Sequence, residues 1–213
     1  MLFIITFYAF FCMIEILYLM NKIVIFASGS GTNAENIIQY FKAKDGSASF
    51  TVFTNNPNAK VIERVKKFQV PAEIFTKVEL FENKVLRKLN IIQPDLIVLA
   101  GFLLKLPKAI IEAYPNKIIN IHPALLPKYG GKGMYGMNVH RAVVENKEKE
   151  SGITIHYVNE NYDEGNVIFQ ESFPLLGKET PDDIAEKIHE LEQRHFPEVI
   201  EKLITQGLMP KTL

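Results

Sequence analysis

Two rhythms of apolar residues run through the chain. The first is a short, nearly unbroken run, as in Lys22-Ile23-Val24-Ile25-Phe26-Ala27, Ser49–Thr54 and Pro94–Phe102. Runs of this length without polar alternation predict strands buried on both faces, as in a parallel sheet. The second rhythm has helical spacing. It is seen at Ala34, Ile37, Ile38 and Phe41, then at Val61, Val65 and Phe68, and then in the amphipathic stretch Leu80, Val85 and Leu89. Ala72–Phe75 reads as a short third strand, and Ile118–Ile121 as a further one that breaks at Pro123 and Pro127. A helix is expected from near Asn138 through Ala142 and Val143.

The last third changes character. Gly152–Val158 alternates as a half-buried strand, Asn159–Gly165 is a polar loop, and Asn166–Phe173 returns, which predicts an antiparallel hairpin. Pro181 to about Leu203 reads as a long helix with acidic residues in its first turn, as the helix dipole favours. Strand–helix units followed by a hairpin and a helix imply an α/β fold with an open, mostly parallel sheet and an antiparallel edge.

Composition adds limits. The 213 residues carry 24 basic and 24 acidic side chains, so nothing in the charge asks for nucleic acid or an anionic membrane as partner. The one cysteine, Cys12, excludes an internal disulfide and a thiolate zinc site, and fits a reducing cytoplasm. Residues 1–19 are almost wholly apolar, with Glu15 the only charge. A membrane anchor, an extra buried helix and a misplaced start site compete there. The last is favoured, because Met20 directly precedes a natural first strand. The expected organisation is therefore an extension over 1–19 and one domain over 20–213.

Three places carry candidate chemistry. Ser28-Gly29-Ser30-Gly31-Thr32-Asn33 lies between a strand and a helix, where free backbone N–H groups and the helix dipole hold a phosphate. The dinucleotide fingerprint is incomplete and no Walker lysine follows, so a phosphomonoester suits the loop better. Asn120 and His122 stand two apart on a strand and aim the same way. A carboxamide that donates to an oxyanion and an imidazole that carries a proton make a kit for acyl transfer. Asp163, in the hairpin loop, can reach the same crevice at the carboxyl ends of the strands. His140, His156, His189 and His195 lack comparable context, and His156 reads as an ordinary strand residue. Leu103, Leu104 and Leu106 read as core, though such a bulge can line a pocket for a flat aromatic ligand. The Gly130–Gly136 loop has no hydrophobic period and reads as mobile or functional.

Taken together, Ser28–Asn33, Ala100-Gly101-Phe102, Asn120–Tyr129 and Asp163-Glu164-Gly165 occur in an order that resembles the phosphoribosylglycinamide formyltransferases. The resemblance runs from about Met20 to the C-terminus. It implies a Rossmann-like formyltransferase fold and transfer of a formyl group from 10-formyltetrahydrofolate to glycinamide ribonucleotide. No metal is implied, and the expected state is a monomer or weak homodimer. By residue it implies Asn120, His122 and Asp163 as the catalytic trio, and Gly31, Thr32 and Asn33 on the ribotide phosphate. Glu192 falls on the glycinamide end, and Leu103, Leu104, Lys105, Leu106 and Asn120 on the folate. The chain departs from the pattern at Leu104, where the family commonly has a basic residue. Relatives that hydrolyse 10-formyltetrahydrofolate share the central motif, and a nucleotide-binding Rossmann-like module is the alternative outside the family.

Overall fold

A computed structural model describes residues 20–44 and 47–206. The apolar stretch 1–19, with the start-site question, lies outside the described residues. Seven strands form one sheet: β1 (Asn21–Phe26), β2 (Ala48–Thr54), β3 (Ala72–Ile74), β4 (Leu96–Leu99), β5 (Ile118–His122), β6 (Glu150–Tyr157) and β7 (Val167–Pro174). Their order is β3-β2-β1-β4-β5-β6-β7, parallel as far as β5 and antiparallel from β5 to β7. This is the α/β architecture expected from the apolar runs.

The parallel strands divide their side chains between two cores, as the period of two requires. Ile23, Ile25, Leu96 and Val98 join one core, with α1 (Thr32–Lys44), α6 (Met137–Glu145) and α7 (Pro181–Gln206). Val24, Phe26, Ile97 and Leu99 join the other, with α3 (Lys77–Phe81), α4 (Lys84–Ile92) and α5 (Lys108–Ala113). The helix α2 (Lys60–Lys66) packs Val61 and Val65 into the first core.

Three local readings are corrected. Phe68 lies in the turn beyond α2. The Leu80–Leu89 stretch is two helices, because Asn83 turns left-handed at φ 60° between them and Thr76 with Glu79 forms a capping box that starts the first. The strand at Pro94–Phe102 is only Leu96–Leu99, since the chain turns at Gly101, φ 71°.

β5 ends where the site begins. Asn120 pairs with His156 and His122 with Thr154 across the antiparallel β5–β6 ladder. Directly opposite residues share a face and stand close enough to interact. The loop after β5 is then tied down. Thr154 Oγ1 donates to the Ala124 carbonyl (2.7 Å) and accepts from Leu126 N–H (3.0 Å). Gln170 Nε2 donates to the Leu126 carbonyl at 3.0 Å. A register shift at Ile155/His156 bends the β6–β7 hairpin just where its loop must reach the site.

Candidate active site

A cleft of about 870 Å³ opens at the carboxyl ends of β1, β4 and β5. Gly31, Thr32 and Asn33 form part of one wall, and Asn120, His122 and Asp163 line it as well. The sequence-predicted loop and trio are thus brought to one cavity.

The glycine loop is shaped by its backbone. Gly31 has φ 74°, and a Cβ there would collide with Val61, so only glycine lets α1 begin so close to α2. The Asn33 side chain is already engaged. Its Nδ2 donates to Glu192 Oε2 and its Oδ1 accepts from Gln193 Nε2, both at 2.9 Å. Asn33 therefore ties α1 to α7 and does not cap its own helix. Glu192 lies in the cleft wall with its side chain 15% exposed, not on a solvated helix face. His189 stands 4.0 Å from it, and that carboxylate pushes the His189 pKa up.

The trio is compact. His122 Nδ1 is 3.7 Å from Asp163 Oδ2. Asn120 Nδ2 is 3.4 Å from Asp163 Oδ1 and 3.1 Å from His156 Nε2. Asp163 Oδ2 also accepts from Gly131 N–H at 2.9 Å. The Gly130–Gly136 loop is thereby part of the site's frame. Asp163 has φ 56°, a left-handed value that a non-glycine residue keeps where its contacts hold it.

His156, an ordinary strand residue by sequence pattern, lies against Asn120 and Asp163. It is 2% exposed and its Nε2 lies 3.6 Å from Asp163 Oδ1. Its Nδ1 is 2.8 Å from the Tyr157 carbonyl, which can only accept. In the neutral ring Nε2 is then free to accept from Asn120, which fixes the carboxamide with its NH₂ toward Asp163. The signal available in the sequence was pairing register: the hairpin strand beside β5 carries a histidine opposite Asn120. His140 and His189 also line the cleft, and the Nδ1 of His140 is buried without a partner. His195 instead packs against the Phe169 ring.

Burial is the largest influence on His122 and holds its pKa below the ordinary value, although Asp163 and the Tyr129 carbonyl both favour the charged ring. Burial works the other way on Asp163. There the His156 and His122 rings, when they carry a proton toward it, and the Gly131 amide outweigh burial, and the carboxyl stays below the usual range. Burial also lowers His140, against an opposing Glu192.

The Leu103–Leu106 edge divides. Leu103 is 54% exposed and lines the cleft. Leu104 packs against the second core, and Leu106 is buried within it, because Phe26, Phe75 and Phe102 form an aromatic cluster there that needs covering. Lys105 turns outward, its Nζ 5.3 Å from the ring centre of Tyr162. Leu104, Lys105 and Leu106 are therefore not in the cleft wall, whereas Phe102 and Tyr162 are. Among the described residues no group of three or more His, Cys, Asp or Glu is arranged to hold a metal ion, and no helix is long and apolar enough to cross a membrane.

Comparison with known proteins agrees with this geometry. The model of the "Formyl transferase" family matches residues 21–200. A phosphoribosylglycinamide formyltransferase of Bacillus subtilis is 36% identical over 191 residues, 87% of this chain and 95% of that protein. A chloroplastic one of Arabidopsis thaliana is 36% identical over 84% of this chain, which spans 64% of that longer relative. The solved structure of the phosphoribosylglycinamide formyltransferase of Coxiella burnetii, in complex with CHES, has a TM-score of 0.79 at 33% identity and 88% coverage of each chain. That of glycinamide ribonucleotide transformylase 1 of Geobacillus kaustophilus has 0.78 at 36% identity, covering 86% of this chain and 98% of the other. With its fold, its cleft and these relatives in agreement, the chain belongs to the formyl transferase family, alongside the phosphoribosylglycinamide formyltransferases.

Proposed function

We propose that this chain transfers the formyl group of 10-formyltetrahydrofolate to the primary amine of glycinamide ribonucleotide, a step of de novo purine biosynthesis. The observation that carries the reading is the convergence of Asn120, His122 and Asp163, with contacts of 3.4 and 3.7 Å, in the cleft that the glycine loop also lines. The backbone N–H groups at Gly31, Thr32 and Asn33 take the ribotide phosphate at the start of α1. Glu192, aimed into the cleft and fixed by Asn33, meets the glycinamide end. Leu103, Phe102 and Tyr162 offer the apolar and aromatic wall for the folate ring.

The substrate amine is the nucleophile. Its nitrogen attacks the formyl carbon, and the carbonyl electron pair moves onto oxygen. The Asn120 N–H that now makes the longer contact, 3.4 Å to Asp163, turns to the oxyanion. Loss of one such donor costs roughly 3–4 kcal/mol of barrier. Neutral His122 takes the proton that the new C–N bond makes acidic, with Asp163 stabilising the imidazolium. The proton then passes to the folate nitrogen as its bond to carbon breaks. Atoms balance without a covalent enzyme intermediate or a redox step.

We assign this activity to residues 20–213, acting in the cytoplasm on small molecules as a monomer or weak homodimer, with residues 1–19 outside the catalytic unit. The start of the family match at residue 21 supports that boundary. The test is an assay of the purified chain with both substrates. Formylated ribotide and free tetrahydrofolate are expected in equal amounts. Formate released without ribotide would mark a 10-formyltetrahydrofolate hydrolase and overturn the reading.

A further inference from the structure

His122 is held from behind as well as from the cleft. Its Nε2 lies 2.8 Å from the carbonyl oxygen of Tyr129. A carbonyl only accepts, so Nε2 carries the proton. In the neutral ring Nδ1 is then the bare nitrogen, and it is the one that faces Asp163.

The carbonyl belongs to a residue in an uncommon conformation. Tyr129 has φ 58°, a left-handed value that a bulky side chain adopts only when its surroundings impose it. Those surroundings are specific. The Tyr129 hydroxyl donates to Glu148 Oε1 at 2.8 Å. Glu148 is in turn held by Lys128 Nζ at 3.0 and 3.1 Å. Burial, and then Glu148, push the Tyr129 hydroxyl up to about 12, so it donates as a neutral O–H throughout the physiological range. Neither Tyr129 nor Glu148 lines the main cleft. Both border a smaller cavity of about 240 Å³ on the far side of the loop.

We propose that Tyr129 and Glu148 are positioning residues that set the tautomer of His122. Anchoring the phenol keeps the left-handed turn in place, the turn keeps the Tyr129 carbonyl on Nε2, and Nδ1 is left as the proton-accepting atom. A ring protonated on Nδ1 would donate to Asp163 and have no lone pair on that side to take the amine proton. This inference rests on the acid–base role proposed for His122. The charged or titratable groups around that ring are Asp163 from the hairpin loop, His156 from β6, His140 from α6 and Glu192 from α7. Around Tyr129 they are Lys128 and Glu148.

The test combines nitrogen NMR of ¹⁵N-histidine-labelled full-length protein with steady-state kinetics. In the wild type, His122 is expected as the single Nε2-protonated neutral form. Tyr129→Phe and Glu148→Ala should each give a mixture of tautomers and a kcat lower by on the order of tenfold. Both KM values should stay within about twofold. Glu148→Gln should recover most of the loss seen with alanine, because its carboxamide oxygen still accepts from the phenol. A single Nε2-protonated form in the Phe and Ala variants overturns the proposal, whether their kcat stays at wild type or falls through a merely structural effect. Should the Phe variant not fold, Glu148→Ala, which leaves Tyr129 intact, decides alone. Full activity in His122→Ala would remove the acid–base role proposed for His122, whereas the NMR result stands apart from it.

Discussion

On one side of the cleft, Gly29–Asn33 offers backbone N–H groups from consecutive residues of a single strand–helix unit. On the other, Asn120, His122, His156 and Asp163 arrive from β5, β6 and the hairpin loop, and His122 and His156 are 3% and 2% exposed. The first wall carries no side-chain charge of its own, and its backbone is packed against Val61 of α2 and tied through Asn33 to α7. The second is three titratable groups and a carboxamide, packed so that each shifts or orients another. The contrast matches the work proposed for each: holding a solvated anion needs aligned donors, and moving a proton needs groups whose affinities are tuned by burial and neighbours. It also says that damage to the first wall should show in KM, and damage to the second in kcat.

The comparison breaks most sharply at Asp163. Asp163→Asn removes the charge that stabilises the His122 imidazolium and should lower kcat by on the order of 10²–10⁴ with ribotide KM nearly unchanged. Steady-state kinetics with both substrates checks this, and a kcat near wild type would dissolve the second wall as described. Next in size is Gly31→Ala. Its Cβ would run into Val61 at a positive φ, so the loop must shift. The expected cost is about 1–3 kcal/mol of stability by urea unfolding, together with a ribotide KM raised well above any change in folate KM.

Asn33→Ala should be milder. The helix-start N–H groups survive, but Glu192 loses its 2.9 Å partner, so ribotide KM should rise several-fold at constant folate KM. Equal rises in both would show that the two walls are not separable.

The smallest effect is on pH. Burial lowers the His122 pKa from 6.5, so kcat/KM should hold as pH falls through 6.5 and decline only below it. Asp163→Asn removes a group that raises this pKa, and the acid limb should move lower still. The sign for stability is the same. The unfolded chain binds the proton more readily, so the His122 contribution is present above about 6.5 and is lost as pH falls toward the folded value. A pH series of urea midpoints reads it.

Legibility in the sequence followed the same division. The apolar run Ile23–Phe26 and the spacing of Ala34, Ile37, Ile38 and Phe41 mark β1, α1 and the loop between them almost to the residue, because the apolar pattern and the Gly-rich break that delimit them are local to one βα unit. Asn120 and His122 were legible through strand alternation. His156 was not, because what ties it to the site is its register against Asn120. The Leu103–Leu106 edge reads as core, which holds for Leu104 and Leu106; Leu103, exposed in the cleft, could not be told from them, because apolar residues look alike whether they cover Phe26 and Phe102 or line a cavity. Asn83 broke a helix that the apolar spacing joined, because a left-handed turn leaves no mark in hydrophobicity.

The sequence by itself thus determined the order of strands and helices, the glycine loop and the aim of the Asn–His pair, all from contacts a few residues apart. Tertiary structure alone decided that His156 orients Asn120, that Asn33 grips Glu192, that Tyr129 backs His122, and that burial outweighs Asp163 in setting the imidazole. Pairing across distant segments and exclusion of water arise only when the whole sheet and its helices are assembled.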